Sequence, residues 1–498
     1  MFSLPVWMLL LPFLAAAVVM VLPRAWARTF SSLAMAGLVL LAAWILKDFR
    51  MTAELQQTVS WPMLPLFGQA LRLGVDGLSL LLLVAGASLG LVAVLVAGKD
   101  RPPAFHAWLL LFVGTMTGVL LVQDLLLFYV FWELMLLPAL FLILLWGDAD
   151  RRRATMPFVA VTLVGSLAML ATVLAIGADV RLRAGAVTFD LDVLPMVLES
   201  WSPTAKTWAF AGLVLAFAVK IPLFPLHFWL PAAYTSAPLP AVILLSGLMA
   251  KLGTYGMLRI AMPLFPEQAA AWAPWLAGLA IAGILHGAVL ALGARDVRTV
   301  LACSSFSHLG WVALGIFSLT AEGWTGALLQ QVGHAITTAA LFILAAYASE
   351  RQGATKLATF GGMATTYPWL AVALVFAAMA SAGLPGLNGF VGEFLILLGA
   401  WGLSPWAAAV GGLGVVFGAA YLLWLLQRML YGAVPPASPR GADLSPRELV
   451  IVMPLLVMML VFGIRPALVL DRIKPWADAK AGLFHATSSH AAEMAGNL

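Results

Sequence analysis

The 498-residue sequence is 63% hydrophobic and only 10% charged, with a mean hydropathy of +1.01. A soluble chain carries about a quarter charged residues, so this composition excludes a water-soluble globular enzyme and places the protein in lipid. The 27 basic and 22 acidic residues leave a net charge of +5, which reads as loop charges orienting spans rather than as a surface for an anionic partner.

Apolar blocks follow in chain order at 4–22, 29–46, 75–97, 105–122, 124–146, 155–177, 207–230, 241–262, 271–292, 299–319, 323–349, 367–399, 405–427 and 448–466. A spanning helix needs about 20 residues, so about fourteen transmembrane helices are expected. The runs are continuous rather than alternating every second residue, which argues for helices and against a β-barrel. The fold class expected is an all-α polytopic membrane protein, a single transmembrane domain over 1–498 with a polar C-terminal tail at 467–498. The first block is long enough to span and is closed by residues 23–28 without a small-residue cleavage pattern, so a span is expected there rather than a removable leader.

An even number of spans puts both termini on one side. With the N terminus outside, the short cytoplasmic loops hold Arg24, Arg28, Lys99, Arg101, Arg151, Arg152, Arg153, Arg295, Arg298, Arg351, Lys356, Arg428, Arg440 and Arg447. The opposite side holds 11 basic residues, spread over longer loops and the tail. Both termini are therefore expected in the periplasm of a bacterial inner membrane. That sum leaves Lys220 and Lys251 deep inside apolar blocks, and the acids leave Glu133 and Glu393 there too. Asp76 and Asp124 fall near span ends, within reach of water. A charge at the bilayer centre costs about 2.5–3.5 kcal/mol on insertion scales. The four buried groups must then face a polar interior, pair, or both, as a path for protons or ions does. The plainer alternative, ion pairs that only fix packing, is a task that apolar packing performs at lower cost.

Two blocks carry breaks. Lys220-Ile221-Pro222-Leu223-Phe224-Pro225-Leu226-His227 has two prolines three apart, each lacking a backbone donor. Gly383-Leu384-Pro385-Gly386-Leu387-Asn388-Gly389 follows the same logic with glycine and leads into Glu393. Interrupted seventh and twelfth spans point to two inverted repeats, spans 4–8 (105–262) and 9–13 (271–427); a simple proline kink is the alternative. An unwound turn admits water, and a buried lysine responds to a nearby carboxylate, so Glu133 is expected to switch Lys220 between holding and releasing a proton.

His227, His286, His308 and His334 lie in or near spans, where a neutral imidazole passes a proton on either nitrogen. His308 sits in the polar strip Ser304-Ser305-Phe306-Ser307-His308, and His334 between Gln330, Gln331 and Thr337, Thr338, as in a hydrated file toward Glu393. His227 adjoins the first break; His485 and His490 belong to the tail. No two histidines stand three or four apart in one helix, which argues against a metal site. The lone Cys303 excludes a disulfide framework and a cysteine-held cluster, and no phosphate or dinucleotide loop is present. Redox cofactors, if any are coupled, belong to another polypeptide.

Several segments resemble the antiporter-like membrane subunits of respiratory complex I: Gly74-Val75-Asp76-Gly77-Leu78-Ser79, Phe131-Trp132-Glu133, residues 219–231, Leu252-Gly253-Thr254-Tyr255-Gly256, Ser304 to Gly310, and the second break through Glu393-Phe394. The resemblance runs from about residue 70 to the last span. Glutamate at 393 looks like the M-type branch of NADH-quinone oxidoreductase, where L- and N-type subunits and Mrp-type antiporters usually carry lysine. Val416-Phe417-Gly418-Ala419-Ala420-Tyr421 and Leu444-Ser445-Pro446-Arg447-Glu448 also look M-like.

The resemblance implies fourteen helices in two inverted five-helix repeats. It implies proton transfer through Glu133 and Lys220 as a coupled pair, Lys251 as central relay, His308 and His334 as connectors, and Glu393 as exit group. It implies no cofactor or metal on this chain, with NADH, FMN, iron–sulfur clusters and quinone on other subunits, and L-like and N-like neighbours in the bilayer. One segment departs: where the family usually reads Asp-Ala-His after Trp229-Leu230-Pro231, this chain reads Ala232-Ala233-Tyr234-Thr235-Ser236. His286 matches no family role. Alternatives are the equivalent subunit of a membrane-bound hydrogenase or formate-oxidising complex, a cation/proton antiporter, and a purely structural subunit.

Overall fold

The structure is a computed structural model that describes residues 3–64, 69–184, 187–434 and 441–496. Arg440 and the side chains of His485 and His490 lie outside the described residues. Helices α1 (Leu4–Val21) and α2 (Arg24–Asp48) lead to an antiparallel hairpin of β1 (Gln56–Leu64) and β2 (Gln69–Val75). Then come α3 (Leu80–Val96), α4 (Pro103–Leu121), α5 (Leu125–Leu134), α6 (Leu136–Trp146), α7 (Arg151–Ala184) and the short α8 (Leu194–Leu198). The seventh block is α9 (Pro203–Lys220), an irregular turn, and α10 (Trp229–Ser236). The eighth runs as α11 (Leu239–Leu244), α12 (Ala250–Gly256) and α13 (Met262–Leu264), joined by π-helical turns at Leu245–Met249 and Met257–Ala261.

Next are α14 (Pro266–Gly293), α15 (Val297–Phe317), α16 (Ala321–Gln352) and α17 (Met363–Thr366). The twelfth block splits into α18 (Pro368–Ser381) and α19 (Asn388–Leu403), followed by α20 (Pro405–Leu430), α21 (Pro446–Ile464) and α22 (Ala467–Gly496). Among the described residues, eleven helical stretches are long and apolar enough to cross a bilayer, and α3, α18 and α19 are shorter apolar helices. The chain is thus a multi-pass helical membrane protein.

Hydropathy blocks are blind to short, half-exposed strands, and the hairpin falls between two of them. It is moored to the segment before α8, where Arg72 reaches Asp190 and Asp192, each at 2.7 Å. Of the tail expected at 467–498, residues 467–496 are helical as α22, and Val469, Ile473, Trp476 and Ala477 are buried. Trp476 stacks on Trp324 of α16 with ring centroids 5.8 Å apart. Helix ends follow local chemistry: Asp124, Ser202, Asp296 and Thr320 accept first-turn amides of α5, α9, α15 and α16, and Ser445 with Glu448 forms a capping box on α21.

Burial separates two kinds of helix. The outer ones turn bulky apolar side chains outward, among them Trp208, Trp275, Trp369 and Trp406, as a lipid-facing surface does. The stretch α11–α13 and helix α15 run through the centre and are fully buried over their most apolar stretches. Those two central spans, together with α16, carry Lys251, His308 and His334. Polar groups are tolerated there because protein, not hydrocarbon, surrounds them.

Candidate functional site

Pro222 and Pro225 cannot donate to the preceding turn, so α9 stops at Lys220. The chain then turns through Leu223 N–H to Ala218 carbonyl (2.8 Å) and Leu226 N–H to Leu223 carbonyl (2.6 Å). Trp229 Nε1 donates to the Val219 carbonyl at 3.0 Å, which fastens α10 back onto the end of α9. Lys220 is buried, and its Nζ lies 5.1 Å from the ring centroid of Trp132. Trp132 is held in turn by a 3.2 Å bond from Nε1 to Ser166 Oγ. The next residue, Glu133, has a buried Oε1 with no hydrogen-bond partner among the described residues. Glu133 and Lys220 make no direct ion pair within 4.0 Å among those residues, yet Glu133 is the carboxylate whose field reaches the ammonium.

Lys251 sits on α12, directly after the first π turn. Such turns are wider than α turns and recur at functional sites. Here the turn presents the Ser246 carbonyl, and the Lys251 ammonium donates to it. The same Nζ lies 2.8 Å from His334 Nδ1. Gly253 allows α12 to lie directly on the end of α9. A Cβ there would stand 2.9 Å from both the Ile221 nitrogen and the Phe217 oxygen, so a larger residue would push the two lysine-bearing helices apart.

From His334 the line continues to His308, whose ring centroid is 5.4 Å away. His308 Nδ1 stands 3.2 Å from Glu393 Oε1, close enough for an ion pair but outside hydrogen-bond alignment. Its Nε2 reaches Ser381 Oγ at 3.1 Å and Tyr421 Oη at 3.4 Å, and Tyr421 meets Ser304 Oγ at 2.8 Å. Glu393 also accepts from Gln330 Nε2 at 3.1 Å. The second break places it there. Gly383 has φ +74°, and an added Cβ would be 2.9 Å from Glu393 Oε2, so both backbone and carboxylate require glycine. Asn388, at the start of α19, donates to the Gly333 carbonyl (2.9 Å) and Thr337 Oγ1 (3.1 Å), tying the break to α16.

Of the six expected site residues, Lys251, His334, His308 and Glu393 therefore come together as one buried line over four helices. Glu133 and Lys220 lie near one another beside it, with no direct hydrogen bond to it among the described residues. His227 and His286 form a separate aromatic cluster. His227 stacks on Phe306 at 4.1 Å and meets His286 edge-on at 5.0 Å.

Sequence reasoning missed three features. Arg259, counted with the loops, lies in the second π turn of the eighth span. Its guanidinium holds Asp76 at 2.6 Å and Tyr255 Oη at 3.2 Å, so Asp76 is buried and paired rather than reached by water. The signal was present, since Arg259 falls inside the block at 241–262. His106 on α4 is buried, with both ring nitrogens unpartnered among the described residues. The third is the contact of Gln330 and Tyr421 with the line, both already present in the polar strip and the M-like segment. In the departing segment, Tyr234 Oη donates to the Leu245 carbonyl of the first π turn at 3.2 Å. Just beyond it, Thr235 and Ser236 line a polar cavity of about 500 Å³ with Asp148, Asp150, Asp296 and Arg298.

Residues 122–418 match the family model described as NADH:quinone oxidoreductase/Mrp antiporter, transmembrane. The chain is 36% identical to NADH-quinone oxidoreductase subunit M of Mycobacterium tuberculosis over 94% of this chain and 92% of that protein. It is 33% identical to subunit M of Escherichia coli over 93% and 95% of the two chains. Its fold is similar to a chain of respiratory complex I from Thermus thermophilus, with a TM-score of 0.87 at 36% identity, covering 96% of this chain and 99% of the other. A chain of the Mrp complex from Dietzia sp. shares the fold alone, with a TM-score of 0.85 at 23% identity over 98% of each chain. The chain therefore belongs to the NADH:quinone oxidoreductase/Mrp antiporter family of transmembrane subunits, as a subunit of the M type.

Proposed function

We propose that this chain, a proton-translocating membrane-arm subunit of NADH-quinone oxidoreductase, moves protons along Lys251, His334, His308 and Glu393 under control of the Glu133–Lys220 pair. The observation that carries this reading is the buried line itself: 2.8 Å from Lys251 to His334 and 3.2 Å from His308 to Glu393. A charge change in the neighbouring subunit shifts Glu133 relative to Lys220. Lys220 then alters the field at Lys251 across the α9–α12 contact, and Lys251 releases a proton to His334. The imidazole accepts on Nδ1, the nitrogen facing the amine. Handover to His308 spans two rings that do not bond directly, a gap that one water bridges. Glu393 takes the proton last, with Gln330 orienting its carboxylate.

Entry is assigned to the polar cavity beneath α10. The family's usual acid and histidine are absent there, and Asp148, Asp150 and Asp296 supply the acidic groups instead. The breaks at 221–228 and 382–387, each with an ionisable group within a few residues, support inverted repeats over 105–262 and 271–427 within fourteen spans. Basic loop residues support both termini in the periplasm of a bacterial plasma membrane, and the M-type membership supports L-like and N-like neighbours.

The test is proton uptake by vesicles holding the assembled complex. His334→Gln should stop uptake driven by NADH while electron transfer to quinone and complex assembly persist. Undiminished uptake would remove the line from the mechanism.

A further inference from the structure

An apolar crevice of about 620 Å³ runs between α3 and α21, floored by α16 and closed at one end by α22. On α3 its lining extends from Leu81 to Leu95, about 21 Å at the rise of an α-helix, and on α21 from Val450 to Phe462. That length matches most of one hydrocarbon core. The crevice does not end in more apolar surface. At the Leu95 end, Arg28 from α2 and Arg447 from α21 both donate to the same acceptor, the Leu95 carbonyl, at 2.7 and 2.9 Å.

Neither guanidinium has a carboxylate within 4.0 Å among the described residues. This contrasts with Arg72, Arg259 and Arg351, which are all salt-bridged. Two like charges thus share one neutral oxygen, and each keeps donors to spare, since a guanidinium has five N–H groups. An anion with several oxygens would relieve the repulsion and satisfy the forks, as phosphate does for paired arginines. Trp26, two positions before Arg28, is exposed, as aromatic residues at headgroup level are.

We propose that the α3–α21 crevice binds an anionic glycerophospholipid, an acyl chain along the groove and its phosphate held by Arg28 and Arg447. Apolar length, basic mouth and interfacial tryptophan occur in the order in which a phospholipid presents tail, phosphate and headgroup region. A transmembrane segment of another subunit would use the apolar groove but leave the two arginines without a counter-charge.

The test uses the assembled complex purified in a neutral detergent, stripped of lipid, and titrated with dioleoyl-phosphatidylglycerol or dioleoyl-phosphatidylcholine under native mass spectrometry. The wild-type complex should retain phosphatidylglycerol in preference to phosphatidylcholine. The pair Arg28→Gln and Arg447→Gln should weaken that retention about thirtyfold, from the contribution of two basic residues near a membrane surface. Arg28→Lys with Arg447→Lys keeps the charges but loses the forks and should bind between the wild type and the glutamine pair. Leu455→Trp, which fills the groove and leaves the arginines intact, should also release the lipid. Equal retention of the two lipids, unchanged retention in the glutamine pair, displacement by inorganic phosphate alone, or a cross-link from Leu455→Cys to another subunit's helix would each overturn the proposal.

Discussion

Around Lys220 the immediate company is an indole face and a carboxylate with no hydrogen bond to its buried Oε1 among the described residues, whereas around Glu393 it is an imidazole, an amide and the backbone of a glycine turn. Both groups sit beside a broken span, and both are buried. They differ in how a change in charge travels. In the first region the groups act through a field, because no direct bond joins Glu133 to Lys220 among the described residues, and an aromatic face attracts a cation without offering its proton an acceptor. In the second, contacts of 2.8 and 3.2 Å, joined by two imidazoles tilted at 43° with centroids 5.4 Å apart, give a proton a route of named atoms. A switch and a wire place different demands on a sequence. A switch needs unpaired charge near the neighbour, and a wire needs donors and acceptors in close succession.

The comparison is broken most severely at Lys251. Replacing it by methionine removes the donor at the head of the wire, and proton uptake by vesicles should fall about a hundredfold or more, the scale of a lost positioned acid–base group. Rates near wild type would mean that protons bypass the line. Gly383→Ala strikes the other end. It forces a side chain into a positive-φ position beside Glu393, at a cost of about 1–2 kcal/mol, read as a lower unfolding midpoint of the complex with reduced pumping. If the midpoint and pumping both hold, the close approach of Gly383 to the carboxylate is not needed.

In the first region, Glu133→Gln should slow pumping about tenfold, the factor attached to one unit of coupling between neighbouring charges. The sharper measurement is the cycle with Lys220→Met. Two groups that act only through each other should give a double variant little worse than either single one, and additive losses would separate them. The smallest effect is expected at Trp132→Phe, which weakens the aromatic face over Lys220 and frees Ser166. A loss of about 0.5–1 kcal/mol should appear as pumping slowed a few-fold at unchanged electron transfer.

Much of this is legible in the sequence. Fourteen apolar blocks, two helix-breaking motifs and four ionisable residues inside spans follow from composition and order, because the bilayer penalises each departure from apolar, helical chain. The hairpin and the partner of Arg259 were not legible. A hydropathy window averages over short strands, and a cation near the end of an apolar block looks like a loop residue until its partner arrives from 183 positions away, as Asp76 does.

The sequence by itself determined that this protein lives in lipid, where its helices break, and which rare charges must be accommodated. Only the tertiary structure decided which of those charges meet. Lys251, His334, His308 and Glu393 lie on four different helices, and their contact depends on how π turns, small residues and break geometry rotate and space those helices. No local pattern encodes that spacing, since it arises from side chains packing between segments far apart in the chain.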